Sequence, residues 1–472
     1  MLTRSTAKTV PAPDLTLIGI KTVSGQRQFI AILAGLLLAL SILLGGAAPP
    51  RPLFSSLLQL IGLITLSVAV LQISTTDSWR RHRLPLGLAA AVIAVPLIQL
   101  LPLPPELWMR IPGREQAALA PALAGVTQGW TPISLSPDKT WSTALGLIPA
   151  LGLFLACLTL DTKHRLALVA ILLVGVVVSV LVGALQLANN GGVFNLHHNT
   201  PDGMISGFFV NRNHLASFLL LSLPFAAALA IPSPCWSVSA HALSWFTGLF
   251  GLLVVVALGA VLSRAGIILL APAMLLGLAI ILKSGDFGRS VRAVRIWLLG
   301  GLIAIAGVLA LGLSPIVARF STDGSEDRFD RWPGVLDAAG QYQPIGAGLG
   351  SFDTVYRAFE PVEWLDPTYF NHAHNDYLEL WLETGWLGAA VFLSVMFWTG
   401  SRWLSAWRGG EDSKSDHLAR AAGGALLLLA MHSVVDFPLR TTTVMVVAAL
   451  CFGLIAAGTA ERPRPGAAIV KA

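Results

Sequence analysis

The chain has 472 residues, of which 55% are hydrophobic and 12% charged, about half the roughly 25% charge of an average soluble domain. Apolar residues run unbroken for about 20 positions, as from Phe29 to Ala48, rather than alternating over about 10. This excludes a soluble globule and an outer-membrane barrel, and leaves an all-α polytopic membrane protein.

The formal charge of +6 is spread over short segments between the apolar runs, so it reports topology and not nucleic acid binding. Residues 1–28 form a basic segment ahead of a first span at 29–48, a run too long for a typical signal-peptide core. Spans two and three are expected at 53–72 and 84–103. An external loop, 104–142, follows with Trp108, Trp130 and Trp141, a composition suited to the headgroup level. Spans four to nine are expected at 143–160, 167–188, 207–231, 243–261, 266–283 and 296–315. A polar stretch, 316–385, then separates them from spans ten to twelve at 386–403, 420–435 and 441–459, with a tail at 460–472. The total is about twelve transmembrane helices, with the large loop between spans nine and ten. Placing both termini in the cytoplasm assigns 20 of the 31 Lys and Arg residues to the inside, as the positive-inside rule requires. Cys157, Cys235 and Cys451 show no Cys-x-x-Cys spacing and read as core residues.

A loop of about seventy residues without a long apolar run is far above the usual length, and its default reading is functional. Its sharpest feature is the stretch from Asn371 to Gly385. Asp376 with Glu379 three residues on reads as a capping-box variant, so a short helix is expected to start near Asp376 and stop at Gly385. His374 then sits just before a helix start on the outer membrane surface. A neutral imidazole there can accept a proton from a sugar hydroxyl. His372 and His374, with His197 and His198 from another external loop, also admit a metal site. Glu379 and Glu383 read either as a solvated helix face or as supports for a base.

Arg264 interrupts the apolar stretch between spans seven and eight. A charge at the centre of a membrane helix costs about 2.5–3.5 kcal/mol, less near the interface where the side chain can snorkel. It reads as an anion ligand in preference to a bare snorkelling residue. Arg212 opens span six among Asn211, Asn213 and His214, a polar knot at a membrane entrance that needs internal partners or a ligand. Converging arginines suit a diphosphate, because the guanidinium fork grips phosphate oxygens and keeps its proton. The stretch Pro344 to Phe352 is glycine-rich but lacks Gly-Lys-Ser/Thr, and reads as a tight structural turn rather than a nucleotide cradle. Arg328 and Trp332, four apart, share a helical face, open to packing or to sugar binding.

Taken together, His374-Asn375, nine residues, Gly385, two residues and Gly388 resemble the signature of the O-antigen ligase and polymerase superfamily. The blocks at 207–214, Ser263-Arg264, Arg328 with Trp332, 344–352 and 432–437 are similar to those of the same family in the same order. The resemblance covers about 200–440 and implies a GT-C-type bundle with a large periplasmic loop. It implies that His374 is the base activating the acceptor, and that Arg264, Arg212 and Arg328 bind the lipid diphosphate. Arg440 is a weaker phosphate candidate, and Asn375, Gly385, Gly388, Asn211, Asn213, Asp376 and Glu379 are motif or structural positions. The implied donor is a glycan on undecaprenyl diphosphate, and the acceptor a glycan, lipid A core or other periplasmic hydroxyl. The reaction is expected to be inverting, with no cofactor and no metal, in a bacterial inner membrane. A lipid-linked glycan transporter, an export-complex subunit and a protein O-glycosyltransferase are the competing readings. Ionisable residues clustered at one face favour an enzyme over a transporter.

Overall fold

The computed structural model describes residues 15–48, 51–75, 78–189, 205–231, 238–283, 291, 294–302, 326–364, 370–408 and 413–460. His197, His198, Cys235 and the ninth expected span beyond 302 lie outside the described residues. Among the described residues, seven helices are long and apolar enough to cross a membrane: Gly25–Leu44, Pro52–Thr75, Pro137–Thr159, Thr162–Ala188, Ala240–Val261, Arg264–Leu282 and Asp376–Arg408. Arg83–Gln99 and Thr442–Gly458 are shorter apolar helices. Arg212–Leu229 and Lys414–His432 are helical as well, and so are residues 294–302. Each expected span therefore falls on a helix, the ninth only through its first residues. The strands described are a two-residue antiparallel ribbon, Pro102–Leu103 with Thr131–Pro132.

The helix Arg212–Leu229 is buried at every position from His214 to Leu229, the pattern of a helix that is apolar all round and sits at the centre of a bundle. Lys414–His432 packs beside it and is nearly as buried. Outer helices instead turn Leu60, Val174, Leu181, Ile268, Leu275 and Phe397 outward, a surface that lipid covers and water would not. Helix contacts rest on small residues. A Cβ on Gly62 would lie 2.7 Å from Pro149 Cα, and one on Gly152 would lie 2.6 Å from the Gly62 carbonyl oxygen, so the backbones of Pro52–Thr75 and Pro137–Thr159 nearly touch.

The helix ends sort onto two faces. On one, Val210 N donates to Gly46 O (3.1 Å) and Thr443 N to Gly45 O (3.1 Å), joining the end of the first helix to the starts of two others. On the opposite face Thr162 meets Ser415 at 3.0 Å, and Lys414 donates to the carbonyls of Ala228 and Ile231.

Both long loops lie on the first face and pack against each other. Arg114 is fully buried and donates to Ile133 O (2.6 Å) and Gly346 O (3.0 Å). Burial lowers its pKa to about 10, which leaves it charged at neutral pH. Lys139 pairs with Asp353 at 2.6 Å. Trp108 is buried and donates to Pro132 O at 2.8 Å. It is part of the loop's own core rather than a headgroup anchor, because its indole N–H finds a carbonyl there; Trp130 and Trp141 remain exposed.

Candidate functional site

The loop helix Glu326–Gln341 and the glycine-rich turn pack on the segment 373–385 through a small core that includes Val335, Ala338, Ala347, Phe352, Ala373 and Leu382. Gly385 has φ +58° and ψ −152° and breaks the helix Asp376–Arg408 where the expected short helix stops. A Cβ there would lie 2.3 Å from Pro344 O. The turn itself pairs with the strand of backbone it meets: Ala347 N donates to Leu382 O (3.0 Å), Gly348 N to Glu383 O (2.8 Å) and Trp386 N to Pro344 O (2.9 Å). The glycines at 346, 348 and 350 all have positive φ. The tight structural turn expected from the sequence is what this stretch forms, and its amides are engaged by the helix.

The helix starts at Asp376, where it was expected, but the residue that caps it is the one before. Asn375, not Asp376, is the N-cap: its side-chain oxygen accepts from Tyr377 N (2.9 Å) and Leu378 N (3.1 Å). That frees both carboxylates of the expected capping box to turn inward, toward the segment 433–440. Asp376 accepts from Ser433 Oγ (2.7 Å) and, more loosely, from Leu439 N (3.4 Å). Glu379 accepts from Ala373 N (2.9 Å) and lies 3.2 Å from His372 Nδ1. Glu383 accepts from Phe352 N at 3.2 Å. Glu379 and Glu383 are therefore fully buried and are not a solvated face.

Arg440 stands between them, with Nη2 2.8 Å from Glu383 and 3.1 Å from Glu379. Burial works to lower its pKa, but Glu383, Glu379 and Asp376 outweigh that and raise it above the ordinary arginine value. With its guanidinium engaged by two carboxylates, Arg440 has the surroundings of an internal counter-ion.

A second set surrounds Asp436. Its Oδ1 lies 3.7 Å from His374 Nδ1 and 3.7 Å from His214 Nε2, and accepts from Phe437 N at 2.9 Å. Asp436 and His214 are buried, whereas the His374 side chain is 26% exposed. Burial works to raise the Asp436 pKa. The facing imidazoles of His214 and His374, with His432 beyond, outweigh it and hold the carboxyl well below the usual carboxylate range. His432 is fully buried and shares a 2.7 Å hydrogen bond with Ser217. Phe437 separates the two sets. Its ring stacks on His372 at 4.1 Å and meets His374 and His214 edge-on at 4.9 and 5.0 Å. His372 and His374 thus face different carboxylates on two sides of one aromatic ring. Among the described residues, no three His, Cys, Asp or Glu side chains are grouped to hold a metal ion.

Of the arginines singled out from the sequence, Arg328 meets this turn directly, while Arg212 and Arg264 stand at helix starts. Arg328 donates to Val435 O at 3.2 Å, while Trp332 on the same helical face donates to Ala373 O at 2.9 Å. Trp332 is thereby a packing residue. Arg212 is the first residue of its helix, capped by Asn211, whose side chain accepts from Asn213 N at 2.8 Å. His214 of that first turn faces Asp436. Arg264 opens the helix capped by Ser263. A Cβ on Gly266 would lie 2.9 Å from the Cβ of Ala216, so Arg264 and Arg212 head neighbouring helices at about one level. Both helix starts add positive dipole ends to that place. Gly388 lies one turn past the Gly385 break and is buried.

Sequence reasoning missed the central place of Asp436 and the pairing of Arg440 with Glu379 and Glu383. The signal was present: an acidic residue in Val434-Val435-Asp436-Phe437, four residues after His432, is expensive at a membrane entrance without partners.

These features define a polytopic helical membrane protein with a polar site at one face, built from helix starts and a large loop. Residues 249–393 match the family model described as O-antigen ligase, and the likeness to the O-antigen ligase and polymerase superfamily holds over that segment. The match contains Arg264, Arg328, His374, Gly385 and Gly388, and it indicates an O-antigen-ligase-like function. No curated protein matches the chain.

Proposed function

We propose that the chain is an inverting, metal-independent membrane glycosyltransferase of bacterial surface-polysaccharide synthesis. It moves a glycan from undecaprenyl diphosphate to a periplasmic acceptor hydroxyl, from an inner-membrane position with both termini in the cytoplasm. The observation that carries this reading is His374 Nδ1 facing the buried Asp436 carboxylate at 3.7 Å on a partly exposed ring. A hydrogen bond from Nδ1–H to Asp436, formed by a small closure, fixes the tautomer that leaves Nε2 free to accept a proton. Nε2 takes the acceptor hydroxyl proton as the oxygen attacks the anomeric carbon. The bond from that carbon to the diphosphate oxygen breaks, and the electron pair leaves with the diphosphate. One displacement inverts the centre. Arg264, Arg212 and Arg328 hold the diphosphate and stabilise the leaving charge, a role for which no metal is required. Asn375, Gly385 and Gly388 set the helix that carries the base.

The test is transfer in vitro from a purified polyprenyl-diphosphate glycan, with and without EDTA. His374→Ala should lower the rate by roughly 10²–10⁴-fold, the usual contribution of a general base, with donor binding retained and EDTA without effect. Chelator-sensitive transfer that depends equally on His372 and His374 would overturn the metal-free mechanism. Transport of the donor without transfer would overturn the enzyme reading.

A further inference from the structure

A cavity of about 650 Å³ is lined along the segment 371–388 by side chains that include His372 but not His374. Its walls are apolar, formed in depth by Val92, Leu147, Val395, Met396, Met445 and Phe452. From Thr442 to Phe452 along one wall it runs roughly 15 Å at about 1.5 Å rise per residue, about half the hydrocarbon core of a bilayer. The size is within the range of small-molecule sites, and the shape is that of a slot for an aliphatic chain.

The mouth has a different chemistry. It carries Lys139 and Arg440 as cations, and Asp353, Asp376, Glu379 and Glu383 as acidic groups. Lys139 is paired with Asp353, and Arg440 with Glu379 and Glu383. Among the described residues, both permanent cations of this lining are thus paired, and the His372 imidazole, also in the lining, lies against Glu379, so an approaching phosphate meets carboxylates whose cations are already engaged. Arg212, Arg264 and Arg328 are not among its lining residues. Hydroxyls, by contrast, can donate to carboxylates and accept from ammonium groups without burying a new charge.

We infer that this cavity binds a lipid chain whose head is uncharged and rich in hydroxyls, and that it discriminates against lipid phosphates. The arginines to which the proposed function gives the diphosphate do not line this cavity, and its occupancy can be read without glycosyl transfer. Its failure and the failure of the proposed reaction are therefore distinguishable.

The experiment uses the full chain in nanodiscs, labelled with two photoreactive probes that carry a diazirine at the same chain position. One is dodecyl glucoside and the other is phosphatidic acid. The glucoside should give adducts on Met396, Met445 and Phe452, and phosphatidic acid should give few. A Cβ on Gly146, another lining residue, meets nothing within 4 Å, so Gly146→Phe is the substitution chosen to place a ring in the cavity. It should cut glucoside labelling at least roughly ten-fold, equivalent to about 1.4 kcal/mol of binding. Asp353→Asn, at the mouth, frees the Lys139 ammonium and should raise labelling by phosphatidic acid while leaving the glucoside signal. Equal labelling by both probes in the wild type, or glucoside adducts indifferent to Gly146→Phe, would overturn the inference.

Discussion

Arg440→Met tests whether this arginine is an internal counter-ion or a phosphate ligand. In the structure its guanidinium sits 2.8 Å from Glu383 and 3.1 Å from Glu379, both fully buried, with its own side chain 18% exposed. Removing one partner of a buried ion pair typically costs about 3–5 kcal/mol, because it leaves an uncompensated charge. The partial exposure of Arg440 argues for the low end, about 3 kcal/mol. For a chain of this length, at roughly 1–2 °C per kcal/mol, the midpoint of thermal unfolding should fall by about 3–6 °C. The triple variant with Glu379→Gln and Glu383→Gln removes the orphaned charges and should recover much of the loss, a coupling that a double-mutant-type cycle reads directly. The assay is thermal unfolding of the detergent-solubilised protein, alongside binding of a polyprenyl-diphosphate glycan. If Arg440→Met keeps the wild-type midpoint and loses only donor affinity, the counter-ion argument is wrong and Arg440 is a phosphate ligand.

Arg264→Lys keeps a charge but loses the planar fork, and should cut transfer strongly at unchanged expression; wild-type activity would make Arg264 a snorkelling residue. The Asp436 carboxyl is held below its unfolded value of about 3.9, so it adds stability that is present above that value and lost as pH falls through the folded pKa. Asp436→Asn should therefore lower the unfolding midpoint at pH 7, with the deficit narrowing as pH falls below about 4. A deficit independent of pH would detach Asp436 from the imidazoles that face it. A reporter fused near Gly340 should be periplasmic, and reporters near Asp286 or after Arg464 cytoplasmic. Finding Gly340 inside would set His374 and the lipid-linked donor on opposite sides of the membrane.

The helices were legible because a membrane span is written in about 20 consecutive residues, and burial of its backbone needs no distant partner. His374, Gly385 and Gly388 were legible for a related reason, since one short segment carries them. What the sequence concealed depends on contacts across long separations. Glu383 lies far from Arg440 in the chain, and nothing local distinguishes a carboxylate turned to solvent from one turned to a buried guanidinium. The cap was misread for the opposite reason. Asn375 and Asp376 are adjacent and both are good N-cap residues, and only the pull of Ser433 on Asp376 decides between them. Trp108 likewise has the composition of an interface anchor until Pro132 O, 24 residues on, claims its indole N–H.

The turn 433–440 ties these pieces into one device. His374 has φ +51°, a left-handed conformation that costs an ordinary side chain about 1–3 kcal/mol. Two anchors on either side of it supply compensation. Ala373 is fixed by Glu379 through its N–H and by Trp332 through its carbonyl, while Asn375 caps the next helix. At about 0.5–1.5 kcal/mol per hydrogen bond, these four contacts are enough to offset the strain. The reversal of the chain at His374 sends its ring to Asp436 rather than along the path of His372 to Glu379. Two histidines two residues apart thereby reach different carboxylates, with Phe437 between them. One is buttressed within the Arg440 network, and the other keeps an edge open to whatever approaches from the loop side. Their separation is a backbone property, so exchanging their roles would require changing φ at 374 and not merely the side chains.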